Sequence, residues 1–220
     1  IRISALEVQY ERQGSTKDFV VLKGIEYDTC DAGHIICIMP EGVKMRLLEL
    51  RGMPVSVLID FVHRHGGILG PAHPCGEKYL SFTNTKKFYK SPEVIKRFDF
   101  IEAFNACESE ESNEGAMKLA RKYKKPGIGG SDAHKLDCVG KAYTEIPEYV
   151  TCETELISLI RRKAPVEAGG VLYGKTTKDK MGKANKLLVY SFWFYNKGGE
   201  LLKRHKRKLK GTSRESGRPH

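Results

Sequence analysis

Gly127-Ile128-Gly129-Gly130-Ser131-Asp132-Ala133-His134 joins an apolar, glycine-rich run to an aspartate and a histidine two residues apart. On an extended backbone, residues i and i+2 point to the same side. Asp132 and His134 are therefore expected to aim a carboxylate and an imidazole at one space beyond a strand end. Oxygen and nitrogen donors together suit a divalent metal. The glycines let backbone or a neighbouring group approach closely. Alone, an Asp-x-His pair is a weak signal and reads first as a polar turn with an N-capping aspartate, so the rest of the chain has to supply its partners.

Outward from this stretch, strands and helices alternate. Upstream, Glu110 to Lys124 reads as an amphipathic helix, acidic in its first turn, basic in its later half and stopped by Lys125-Pro126-Gly127. Before it, Phe98 to Phe104 alternates as a strand with Glu102 and Asn105 near its end. Ile68 to Pro74 is a short apolar strand delivering His73, and Pro54 opens a helix with a Leu58, Phe61, Val62 core face, stopped by Gly66-Gly67. Residues 76 to 92 read as a long, lysine-rich loop. Phe19-Val20-Val21-Leu22 begins a buried strand expected to run to Glu26, and His34 to Met39 is a second, paired as an antiparallel hairpin that returns His34 towards Glu26. Ile1 to Arg12 carries a loose helical stripe ended by Gly14-Ser15. Downstream, Ala142 to Ile146 is a strand, Thr151 caps a helix with Leu156, Leu159 and Ile160 inward, and Val166 to Leu172 is a last strand. This alternation argues an α/β fold with a largely parallel sheet or barrel. Glu26, His73, Asp132 and His134 all fall at expected C-terminal strand ends, the face where such barrels build active sites.

The 220 residues allow one substantial core, and 40% hydrophobic with 30% charged residues is ordinary for a globular protein. The net charge of +11 suggests nucleic acid until it is located: residues 200 to 220 carry +6 of it. That tail reads as a solvated, disordered basic end. Cys30, Cys37, Cys75, Cys107, Cys138 and Cys152 show no C-x-x-C pair. With no signal peptide evident, they read as reduced thiols of a cytoplasmic protein; Cys75 and Cys138 read as packing residues. The longest late apolar run, Leu187 to Tyr195, is too short to span a bilayer. No G-x-S-x-G occurs, which removes the usual serine-nucleophile signature.

Glu26, His34, His73, Asp132 and His134 are thus five potential metal ligands from four segments. Their boxes, Gly24-Ile25-Glu26 with Gly33-His34, Ala72-His73-Pro74, Ile101-Glu102-Ala103-Phe104-Asn105 and Gly130-Ser131-Asp132-Ala133-His134, resemble the polymerase-and-histidinol-phosphatase (PHP) family in order and approximate spacing. The resemblance covers roughly residues 1 to 165. It implies a distorted (β/α)7 TIM-like barrel whose mouth holds two or three divalent ions, zinc, manganese or iron. It also implies that Glu26 bridges two ions, that His34 and His73 complete the second, and that Asp132 binds the first and His134 the third. Glu26, Asp132 and His134 would then be the catalytic residues, with Glu102 and Asn105 behind the ligands or lining the barrel. The family also places His-x-His and Asp-His before the bridging glutamate, whereas residues 1 to 25 hold no histidine and Ile1 is not a methionine. The chain is therefore expected to be a fragment lacking the first two barrel strands. Its expected organisation is a PHP-type barrel over 1–173, a linker and aromatic segment over 174–199, and the basic tail over 200–220.

The implied activity is hydrolysis of phosphate esters, phosphomonoester or nucleotide, by metal-activated water. Two alternatives stay open at this point: a nucleic-acid-binding or RNA-processing protein with a degenerate metal site, using the basic tail and the aromatic-interleaved lysines of 77–90, and an inactive barrel fragment.

Overall fold

Alternating side chains and a glycine turn build the first sheet of the computed structural model, which describes residues 2–3, 20–43, 48, 51–77 and 80–173, within a compact unit of Ile1–Gly174. After β1 (Arg2–Ile3), strands β2 (Ile25–Asp28) and β3 (His34–Ile38) pair antiparallel, with Asp28 opposite His34 and Glu26 opposite Ile36. Their period of two sends Tyr27, Ile35 and Cys37 into the core and leaves Glu26, Asp28 and His34 on the other face. The Thr29 hydroxyl ties the turn, donating to Gly33 O at 2.7 Å and accepting from Ala32 N at 3.0 Å. Gly33 sits at φ +73°, and a Cβ there would lie 1.8 Å from Leu80 O, so only glycine fits.

Helix α1 (Val55–Arg64) starts directly after Pro54 and buries Val55, Leu58, Ile59 and Val62; Phe61 is only partly buried. Each such aliphatic side chain contributes roughly 1.5–3 kcal/mol when fully buried. Strand β4 (Ile68–Pro71) then joins β3, again antiparallel. The expected loop of 76–92 instead carries helix α2 (Lys86–Lys90) and 3-10 turns over Phe82–Asn84 and Pro92–Arg97. The signal was Phe82, which is fully buried and meets Phe88 and Phe98 edge to face.

Strand β5 (Ile101–Asn105) leads through helix α3 (Glu110–Tyr123) to strand β6 (Gly127–Gly130), which lies parallel to it. Ser109 caps α3 by accepting from Ser112 N, and Lys124 closes the helix in the left-handed region. Strand β7 (Ala142–Glu145), helix α4 (Glu153–Arg161) and strand β8 (Glu167–Gly170) complete the described elements, β7 pairing antiparallel with both β8 and β1. One core lies under the hairpin, α1 and the Phe82 turn; a second packs Ile68 and Phe100 against Leu156, Leu159 and Ile160 of α4. No helix among the described residues is long and apolar enough to cross a membrane.

Among the described residues the expected (β/α)7 barrel does not form. The described strands make three small sheets, β1-β7-β8, β2-β3-β4 and β5-β6, and only the last is parallel. No barrel closes among the described residues. Two-residue to five-residue turns such as Thr29–Gly33 force antiparallel neighbours, and a helix between two strands does not by itself fix their direction: α1 separates β3 from β4, and α4 separates β7 from β8, yet both pairs are antiparallel. The sheets meet through isolated bonds instead of full ladders. Asp99 N donates to Leu69 O at 2.9 Å, Gly129 N to the Thr144 hydroxyl at 2.9 Å, and Ala142 N to the buried Ser131 hydroxyl at 3.0 Å.

Other local expectations shift. Residues 20–24 are not strand, so Glu26 lies inside β2 and not at its end. Arg2–Ile3 are strand where a helix was expected; the remainder of that segment lies outside the described residues. Cys152, not Thr151, occupies the N-cap of α4, while Glu155 reaches back to accept from Thr151 N at 2.6 Å and its hydroxyl at 2.9 Å. The linker, the aromatic segment and the basic tail lie outside the described residues.

Candidate metal centre

Three of the five expected ligands converge. Glu26 comes from β2, His34 from the facing end of β3, and His73 from the turn just after β4. His34 Nδ1 stands 2.7 Å from Glu26 Oε1, His73 Nε2 stands 3.3 Å from the same oxygen, and the two ring nitrogens are 3.2 Å apart. The rings meet edge to face at 75°. Among the described residues this is the one group of three or more His, Cys, Asp or Glu side chains with converging ligand atoms.

The geometry is compatible with a cation. Bonds of about 2.0–2.2 Å from nitrogen and oxygen to zinc put neighbouring donors about 2.8–3.6 Å apart. The observed triangle needs only a slight opening along its Glu26–His34 edge. Two imidazoles and one carboxylate on one face also make a donor set shared by zinc hydrolases and iron(II) sites with open positions. The side chains of His34 and Glu26 are 18% and 23% exposed, so the triad is reachable from solvent, while that of His73 is 5% exposed.

Each side chain of the triad is held from behind. His34 Nε2 lies 2.9 Å from Asp28 Oδ1, and Arg51 pairs with the other Asp28 oxygen. His73 Nδ1 lies 3.3 Å from the Ser81 hydroxyl. The backbone at His73 is in the positive-φ region, φ 29°, and its N–H donates to Glu102 Oε2 at 2.5 Å. Glu102 is buried and also accepts from Asn105 Nδ2 at 3.0 Å, and Asn105 exchanges backbone–side-chain bonds with Asn113 at 2.7 and 3.0 Å.

Electrostatics follow from this packing. Burial opposes charge on Glu26, but hydrogen bonds from His34 and His73 hold its carboxyl well below the usual range. Burial likewise disfavours a charged His34, yet Asp28 and Glu26 together push it up to about 9. The His34 hydrogen bond outweighs burial at Asp28, with Arg51 adding to it, and lowers that carboxyl. Glu102 goes the other way: burial raises it to about 7 against the pull of His73 and Asn105, and the Asp132 charge adds to the rise.

Asp132 and His134 stand outside the group of three. Asp132 follows β6 with φ 46°, so the chain turns where an extended backbone was expected. The two side chains still face one another, His134 Nδ1 lying 3.5 Å from Asp132 Oδ1 and 2.9 Å from the Asp132 carbonyl. The His134 side chain is 44% exposed, and that of Asp132 only 5%. Tyr173 fastens the turn by donating to Ser131 O and, at 2.8 Å, Asp132 O. The link between the two regions is Glu102, which binds the His73 N–H, feels the Asp132 charge, and would lie 1.9 Å from a Cβ on Gly130. Cys138 is buried and Cys75 packs against Gly115. Sequence reasoning missed Asp28, Arg51 and Ser81. The available signal for Asp28 was the Glu26-Tyr27-Asp28 alternation, which puts both carboxylates on one strand face.

Residues 110–165 match the family model described as PHP-associated. This is consistent with a PHP-domain protein. The match spans α3, β6, β7 and α4 and includes Asp132 and His134, while Glu26, His34 and His73 precede it. No curated protein matches the chain.

Proposed function

We propose, from the PHP-associated segment and the Glu26–His34–His73 triad together, that this protein is a metal-dependent phosphoesterase. The observation that carries the reading is the triangle of Glu26 Oε1, His34 Nδ1 and His73 Nε2, with edges of 2.7, 3.2 and 3.3 Å. A divalent ion bound there would supply Lewis acidity, lowering the pKa of water and polarising a phosphoryl oxygen. Glu26 brings the negative charge, and its low proton affinity keeps it available as a donor at neutral pH. His34 has to release a proton to present Nδ1, and Asp28 remains to accept from Nε2–H. His73 presents Nε2 because Ser81 and Glu102 hold its ring and backbone. Asp132 and His134 are proposed to act at the rim, on further ions or on substrate.

The substrates proposed are phosphate monoesters or nucleotides, which carry the anionic oxygens such an ion would take. The experiment is turnover of phosphomonoester and nucleotide panels with added manganese or zinc. Activity lost on Glu26→Ala is expected. Metal binding without turnover of any phosphate ester would contradict the activity; absence of metal binding would contradict the whole reading.

A further inference from the structure

His34 has two ring nitrogens, and each faces a carboxylate. Nδ1 points into the triad, 2.7 Å from Glu26 Oε1, and Nε2 lies 2.9 Å from Asp28 Oδ1. The register explains this: Asp28 is directly opposite His34 in the β2–β3 ladder, the closest cross-strand relation available to two side chains on one face. A neutral imidazole has one N–H and one lone pair, so the group that binds the N–H decides which nitrogen can ligate. Asp28 is itself held, since Arg51 pairs with its second oxygen, and the Asp28 side chain is 31% exposed. Across the centre, Ser81 lies in the corresponding place behind His73, but a hydroxyl at 3.3 Å either donates or accepts and carries no charge. Asp28 can only accept while ionised.

We propose that Asp28 is a positioning residue for the metal centre: it holds His34 in the Nε2–H tautomer and so makes Nδ1 the ligand, with Arg51 fixing the carboxylate. The inference rests on the metal-binding reading above and assigns a role that the ligand triad alone does not contain. Carboxylates placed behind ligating histidines raise ligand basicity and fix ring orientation, and their loss weakens metal binding about 10–100-fold. Arg51→Ala acts one step further out, so its effect falls below that of removing Asp28.

The test is zinc titration of the full chain by calorimetry, with long-range nitrogen–proton NMR of the histidine rings. Wild type is expected to bind zinc and to show His34 protonated at Nε2 in the zinc-bound form. Asp28→Ala is expected to weaken zinc binding about 10–100-fold and to shift His34 away from that tautomer, with Asp28→Glu recovering part of the affinity. Should Asp28→Ala not fold, Asp28→Asn, nearly identical in shape, carries the comparison and is expected to bind at least about tenfold more weakly. A folded Asp28 variant that binds zinc as tightly as wild type, or zinc-bound wild type with His34 protonated at Nδ1, overturns the role of Asp28 and leaves the metal centre standing. A wild-type chain that binds no zinc overturns the metal reading itself.

Discussion

The triad at the end of the hairpin and the Asp132–His134 turn contain the same kinds of residue and are built in opposite ways. In the first, three antiparallel strands set the register, and donors from three segments converge to within 3.3 Å of one another. In the second, one turn supplies both residues, and its geometry comes from a left-handed aspartate and a tyrosine bonded to its carbonyls. A ladder fixes many backbone positions at once, whereas a turn fixes only its own. Convergence from distant segments is therefore stronger evidence of a site than a close pair on one loop. Glu102 joins the regions, touching the backbone of one and sensing the charge of the other.

The largest effect separating the two regions is expected from their ligands. Glu26→Ala should weaken zinc binding by more than about 100-fold, beyond the range for a supporting residue, while His134→Ala should leave the tightest zinc event nearly unchanged. Calorimetric titration of both variants checks this, and equal losses would erase the distinction. Next come the glycines. Gly33→Ala places a Cβ against the Leu80 backbone at a positive φ and should destabilise by about 3 kcal/mol or more; Gly130→Ala meets only the end of the Glu102 side chain and should cost about 1–3 kcal/mol. Denaturant unfolding measures both.

Proton linkage gives a smaller difference, confined to the triad. His34 is raised to about 9, so its contribution to metal-free stability is fully present below the ordinary histidine range and is lost as pH climbs through about 9. Glu26 and Asp28 are lowered, so theirs is present above the ordinary carboxylate range and lost as pH falls through their depressed values. Zinc competes with the His34 proton, so zinc affinity should rise with pH up to about 9 and then level. His34→Ala should remove this expected alkaline loss of stability, which thermal unfolding from pH 7 to 10 would measure. The smallest effect is expected at Ser81→Ala, where a single neutral 3.3 Å contact to His73 is lost and zinc binding should weaken by about tenfold at most.

Much of this contrast was legible in the residues. The alternation of Ile25 to Asp28 and His34 to Ile38 around Gly33 specified the hairpin, and that hairpin delivered His34 to Glu26. Ala72-His73-Pro74 after an apolar run specified the third member of the triad. Strand direction beyond that hairpin was not legible, because strand–helix alternation counts elements without following the path between them. The turn at Asp132 was hidden because glycines before it suit either an extended run or a bend. Asp28 escaped because a strand-edge aspartate gains its role only from the cross-strand register. Phe82 was read as loop because its neighbours are polar, although one aromatic is enough to pull a segment onto the core.

The central claim is that Glu26, His34 and His73 hold one divalent ion together. Anomalous diffraction at the zinc edge from crystals of the zinc-loaded chain tests it most directly. The account predicts a peak about 2.0–2.2 Å from Glu26 Oε1, His34 Nδ1 and His73 Nε2. A strong peak at Asp132 and His134 with none among the three would contradict it.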